Sequence, residues 1–157
     1  MKKKRVVIIS LLLLLVSVIG ISSYFLFKDK INLLDVDHSA VDWNGKKQKD
    51  TSGEENTIAI PGFEKVTLYA NETTQAVNFH NPEINDCYFK ISLIHPDGSV
   101  LWISDLIEPG KVMYSIELEK TLAVGEYENA VLKYECFSLN DQSPLNGSEI
   151  NLKLVVV

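Results

Sequence analysis

Cys87-Tyr88-Phe89-Lys90-Ile91-Ser92-Leu93-Ile94-His95-Pro96-Asp97-Gly98-Ser99-Val100-Leu101-Trp102-Ile103-Ser104 decides the fold. Cys87, Phe89, Ile91 and Leu93 fall on one side of an extended chain and Tyr88, Lys90 and Ser92 on the other, the period of two that side chains follow along a strand. Asp97-Gly98 between Leu93-Ile94 and Val100-Leu101 predicts a two-residue type I′ turn, which needs positive φ at both central residues. Working outward, similar short runs occur at Thr57 to Ile60, Lys65 to Tyr69, Gln75 to His80, Val112 to Leu118, Tyr127 to Ser138 and Glu149 to Val157. Pro61-Gly62, Asn81-Pro82, Pro109-Gly110, Val124-Gly125 and Asn146-Gly147 fall between them as turn chemistry. There is no internal repeat and no helical period in this part of the chain. Eight short strands in succession predict an all-β, antiparallel β-sandwich over residues 56–157.

The amino-terminal end reads differently. Val6 to Phe27 is 22 residues without a charge, with Leu11 to Val16 wholly aliphatic. At 1.5 Å per residue a helix of that length spans about 33 Å, close to the roughly 30 Å hydrocarbon core of a bilayer. Lys2, Lys3, Lys4 and Arg5 stand before it, and the positive-inside rule then predicts a cytoplasmic tail over 1–5, a transmembrane anchor over 6–27 and an exported remainder. A cleaved signal peptide would be cut near Val18-Ile19-Gly20 or Gly20-Ile21-Ser22. Tyr24-Phe25-Leu26-Phe27 continues the apolar run past those points up to Lys28, which favours a retained anchor. No Cys follows the run, against a lipoprotein.

Residues 28–55 include Lys46 to Glu55, polar and without apolar period, and are expected to form a linker. Trp43 is its anomaly. It would either dock on the folded domain or pack locally with Ile31, Leu33 and Leu34.

Charge divides the chain in the same way. Before residue 31 stand six basic residues and Asp29; after it stand 9 Lys and 20 acids, so a basic end precedes a domain of net −11. Such a domain lacks the Lys/Arg field that nucleic acid requires. The length of 157 residues leaves no room for a separate cofactor domain beside the sandwich.

Both cysteines share the inward parity of their strands, Cys87 with Phe89 and Cys136 with Ala130, Leu132 and Tyr134. In an exported chain they could close one disulfide or remain two buried thiols. A catalytic thiol is disfavoured, since there is no Cys-x-x-Cys and no following helix to lower a pKa. The order Cys87, Trp102, Cys136, with Tyr134 two residues before the second Cys, resembles immunoglobulin-like (Ig-like) domains. Leu122-x-x-Gly125-x-Tyr127 resembles the entry to a penultimate Ig-like strand and makes Tyr127, rather than Tyr134, the corner residue. The wider set Ile60-Pro61-Gly62, Asn81-Pro82-Glu83, Cys87-Tyr88-Phe89, Asp97-Gly98, Ser104-x-Leu106-Ile107-x-Pro109-Gly110, Gly125-x-Tyr127, Tyr134-x-Cys136 and Leu145-Asn146-Gly147 is similar to small uncharacterised membrane-anchored surface proteins of Gram-positive bacteria. That resemblance covers residues 35 to 157 and implies an Ig-like sandwich behind one transmembrane helix. It implies no activity.

Every constellation that could carry chemistry has a plainer reading. Asp35-Val36-Asp37-His38 can ligate metals but lies in the expected linker. His80 and His95 precede Asn81-Pro82 and Pro96 and read as turn residues. Asn140-Asp141-Gln142 with Asn146 and Glu149 is oxygen-rich without the ligand spacing of a calcium loop. There is no hydrolase, zinc-protease or phosphate-loop motif. No cofactor and no catalytic or metal site is therefore expected. The reading is a membrane-tethered, extracytoplasmic binding or assembly module, its partner an exported protein or an envelope complex. A structural subunit of a secretion or conjugation apparatus is the first alternative and an enzyme the second. Leu154-Val155-Val156-Val157, apolar without alternation, is expected either to pair within the sandwich or to offer an edge to a partner.

Overall fold

Alternation of apolar and polar side chains yields strands, and the computed structural model, which describes residues 33–45 and 57–157, contains eight of them. They are β1 (Val41–Asp42), β2 (Lys65–Leu68), β3 (Thr74–His80), β4 (Cys87–Ile94), β5 (Val100–Ile103), β6 (Lys111–Glu117), β7 (Gly125–Ser138) and β8 (Pro144–Val156). The chain divides into two units after Leu33, and all eight strands belong to the second, Leu34–Val157. The tail and anchor expected over 1–27 lie outside the described residues. Among those described, no helix is long and apolar enough to cross a membrane.

The strands form two sheets, one ordered β1-β6-β3 and the other β2-β8-β7-β4-β5. One core lies between them, and the apolar residues read as inward in β4 and β7 form much of it. Cys87, Phe89, Ile91 and Leu93 of β4, and Ala130, Leu132, Tyr134 and Cys136 of β7, are all buried in it. Phe79 of β3 reaches across to Trp102 of β5, with ring centroids 5.8 Å apart. The long β4–β7 and β7–β8 pairings are antiparallel, the first in continuous register and the second interrupted by two shifts.

Five local expectations are corrected. The β4–β5 connection is wider than a type I′ turn: Gly98 N–H donates to the His95 carbonyl, His95 N–H to the Ser99 carbonyl, and only Gly98, at φ 85°, is left-handed. Pro96 is the reason: it has no N–H to pair with Ser99 as the residue before an Asp97-Gly98 turn would, and its fixed φ near about −65° suits the first central position of a type I turn with a following glycine bulge. Thr57 to Ile60 forms no strand; the Asn85 side-chain amide takes up both backbone groups of Ala59 instead. Asn146-Gly147 is no turn but a bulge inside β8, which starts at Pro144 rather than Glu149. The architecture is not purely antiparallel, because β2 runs parallel to β8 from Lys65↔Lys153 to Leu68↔Val156.

The fifth correction concerns the segment read as a linker. Asp37 N–H donates to the Leu106 carbonyl and Leu106 N–H to that of Asp35, while Trp43 N–H donates to the Gly110 carbonyl. Val41 pairs with Val112. Ala40 packs on the core, so a stretch too short to show a period is drawn in by a few apolar side chains and the open edge of β6. Residues 46–55 of the expected linker lie outside the described residues.

Candidate functional site

Three places gather the side chains from which a function can be built. At the end of the larger sheet where β7 begins, Leu68 lies opposite Val156 and Gly125 opposite Val156 on its other side. The next residues outward along these strands are Tyr69, Val157 and Val124, and the Ala70 N–H to Val157 carbonyl bond of 2.7 Å holds the first two together. They share the parity opposite to buried Leu68 and Val156 and are 55%, 56% and 72% exposed. Gln75 fixes the turn behind Tyr69: its amide accepts the Tyr69 N–H and donates to the carbonyls of Tyr69 and Glu72. A row of three apolar side chains held on a braced backbone presents a contact surface.

This row alters the reading of the carboxy-terminal strand. β8 lies between β2 and β7, so Leu154 to Val156 have neighbours on both sides and present no open edge. Leu154 and Val156 are core residues, Val155 is half-buried, and Val157 alone of the four is exposed. The lack of polar alternation thus reflects a strand inside a sheet, covered by β2, rather than an edge kept for a partner.

The second place is the junction of β1, β3 and the Pro109-Gly110 turn. The Trp43 ring stacks on His80 with centroids 4.2 Å apart and planes 15° off parallel. His80, 7% exposed, has no hydrogen-bond partner at either ring nitrogen among the described residues. It is a core residue at a strand end, not the turn residue its sequence position suggested, and burial pushes its pKa below the usual value. Beside it, fully buried Asn81 donates to the carbonyls of Cys87 and Ile107 and accepts from Asn85. A cleft of about 550 Å³ opens here, lined by Trp43, Pro82, Ile84 and Pro109 among others. The sequence offered Asn81-Pro82 only as turn chemistry; nothing local announces that this Asn ties the backbone at Cys87 to that at Ile107.

The third place holds the cysteines. Phe89 pairs with Cys136 and Cys87 with Ser138, so the two are diagonal neighbours on adjacent strands of one sheet. Both are buried free thiols. A hydrogen bond to Cys87, together with burial, pushes the Cys136 thiol up, which removes it from nucleophilic use near neutral pH. Any bridge between them would clip β4 to β7 within a sheet, not sheet to sheet as in antibody domains. Trp102 sits on the edge strand β5, beside β4 in the same sheet as Cys87, whereas in antibody domains the strands of the Trp and of the first Cys belong to different sheets. Tyr127 donates its hydroxyl to the Ala123 carbonyl four residues upstream at 3.0 Å. Tyr134 is buried against Phe89, edge to face at 5.3 Å, and burial raises its pKa.

Three of the remaining polar candidates are used structurally. Asp37 accepts the N–H and hydroxyl of Ser39, Asp141 accepts the Ser143 N–H, and Gln142 binds the backbone of Leu34. Among the described residues no three His, Cys, Asp or Glu side chains are grouped to hold a metal ion. No protein-family model matches the chain, and no curated protein does.

Proposed function

We propose that the chain is a membrane-tethered, extracytoplasmic binding or assembly module built on an Ig-like sandwich, and that it carries no catalysis of its own. The observation that carries this reading is the exposed row Tyr69, Val157 and Val124 just beyond the ends of three neighbouring strands. Its reactive groups point the other way: both thiols and the His80 ring are buried. Strand order supports the Ig-like assignment. β8-β7-β4-β5 reads as the last, penultimate and two middle strands of an Ig sheet, faced by the β3–β6 pair, with the Tyr127 hydroxyl bond in the place of the corner tyrosine. Lys2 to Arg5 before the uncharged run 6–27 supports the tether and its orientation.

A photo-crosslinking residue placed at Tyr69 or Val124 in cells, with Tyr114 on the smaller sheet as control, tests the reading. Tyr114 is also exposed but lies outside the row. A discrete adduct from positions 69 and 124, absent at 114, is expected. Identical products at all three positions, or none, would remove the row as the binding surface.

A further inference from the structure

The chain enters the folded unit at Leu34, and what holds it there is the tip of the β7–β8 hairpin. The Gln142 side-chain amide accepts the Leu34 N–H at 2.6 Å and donates to the Leu34 carbonyl at 3.0 Å. Gln142, at φ 54°, belongs to a turn that is itself braced. Its N–H donates to the Ser138 carbonyl, Ser138 N–H to the Ser143 carbonyl, and Ser143 N–H to the Asp141 carboxylate. The entry point and the hairpin tip are therefore one rigid place.

In the sequence, the uncharged run ends at Phe27, seven residues before Leu34. Seven residues reach at most about 25 Å even when fully extended. If 6–27 spans a bilayer, the reading proposed above and on which this inference rests, the tip cannot stand farther than that from the lipid. The opposite end of the hairpin can: β7 has 14 residues, and at roughly 3.3 Å each Val124 lies about 45 Å from the tip. Two leucines stand exposed at a tip whose other turn residues are Ser138, Asn140, Asp141, Gln142 and Ser143. Leu139 and Leu145 are 41% and 44% exposed, beside exposed Pro144 and half-buried Phe137.

We infer that the β7–β8 hairpin tip is a membrane-contacting surface, its leucines seated in the headgroup boundary of the leaflet from which the chain emerges. The chain length between Phe27 and Leu34 selects lipid over a second copy or another protein as the occupant, because lipid is what the tether brings within reach. Asp141 and Asn140 in the same turn keep the insertion shallow, at the depth where an apolar side chain and a charged one can share an interface. Docking at this end also turns the Tyr69–Val157–Val124 row away from the membrane.

An environment-sensitive fluorophore on Leu139→Cys or Val124→Cys in the full chain, reconstituted into phosphatidylcholine vesicles with a minor share of phosphatidylglycerol, tests this. The native thiols are buried and need not be replaced. Co-flotation with vesicles reports the anchor. Expected is a blue-shifted label at 139 quenched several-fold more by a lipid-borne quencher than by aqueous iodide, with the reverse at 124. A co-floating chain whose 139 label is quenched like the 124 label would overturn the inference alone. A blue-shifted 139 label untouched by the lipid-borne quencher would assign the tip to protein contact and overturn it as well. A chain that fails to co-float would overturn the anchor and the inference together.

Discussion

His80 shows how one residue's environment, rather than its type, sets its role. Its imidazole is neutral in the fold because burial lowers its pKa below the ordinary 6.5. Protonation could gain some cation–π attraction from the Trp43 face, and the Asn78 backbone favours the charged ring, but the loss of its hydration on burial is the larger effect. The unfolded chain takes up the proton first as pH falls. The contribution of His80 is thus full above about pH 6.5 and is lost as pH drops towards its folded-state value. Urea melts at pH 7.5 and 5.5 should show wild-type stability falling, and His80→Phe, which keeps the stacked ring without the titration, should fall less. Equal losses in both proteins would assign the acid sensitivity elsewhere.

Irregularities in the long hairpin show what individual strands are asked to do. At one bulge, between Tyr127 and Ala130 with Asn129 at φ 62°, β7 shifts so that Glu126 and Glu128 both reach Lys153, at 3.0 and 2.6 Å. These pairs are exposed and contribute little. At the other bulge, between Tyr134 and Cys136, the backbone of Gly147 crosses so close to the Tyr134 carbonyl oxygen that a methyl group at 147 would occupy the oxygen's place. Backbone cannot step aside as a flexible side chain does. Gly147→Ala should therefore destabilise the domain by about 1–3 kcal/mol, the range of overpacking, read as a lower urea midpoint at unchanged slope. A variant within 0.5 kcal/mol of wild type, the ordinary scatter of surface changes, would show that this bulge can relax. The same bulge explains why Leu145-Asn146-Gly147 reads as a turn in the sequence: it carries turn residues for a kink, not a reversal.

At the scale of the whole molecule, β8 joins what would otherwise come apart. Val66 and Leu68 of β2 meet the larger sheet only through Lys153 to Val156, and Leu152, Leu154 and Val156 are core. Three such side chains represent roughly 5–9 kcal/mol of burial at about 1.5–3 kcal/mol each, comparable with the whole stability of an ordinary domain. Truncation after Asn151 should abolish the cooperative urea transition. A truncated chain that still melts cooperatively would show that β2 and β7 can close on one another without it.

Parity and turn position belong to the sequence. Cys87, Phe89, Ile91 and Leu93 point inward because successive side chains on any strand alternate, and Pro109-Gly110 turns because Pro presets φ at one residue and Gly, here at φ 76°, permits a left-handed one at the next. These are local properties, legible without knowing any neighbour. Which strand lies beside which is not local. That β2 joins β8 in parallel, that Val41–Asp42 adds to β6, that both cysteines share one sheet, and that Asn81 and Gln142 clasp distant backbone were decided only when whole faces were buried together. Unpaired backbone groups then had to find partners far along the chain. The apolar row arose the same way: Val157 stood out in the sequence as part of a possible edge, and Tyr69 and Val124 joined it because their strands lie on either side of β8.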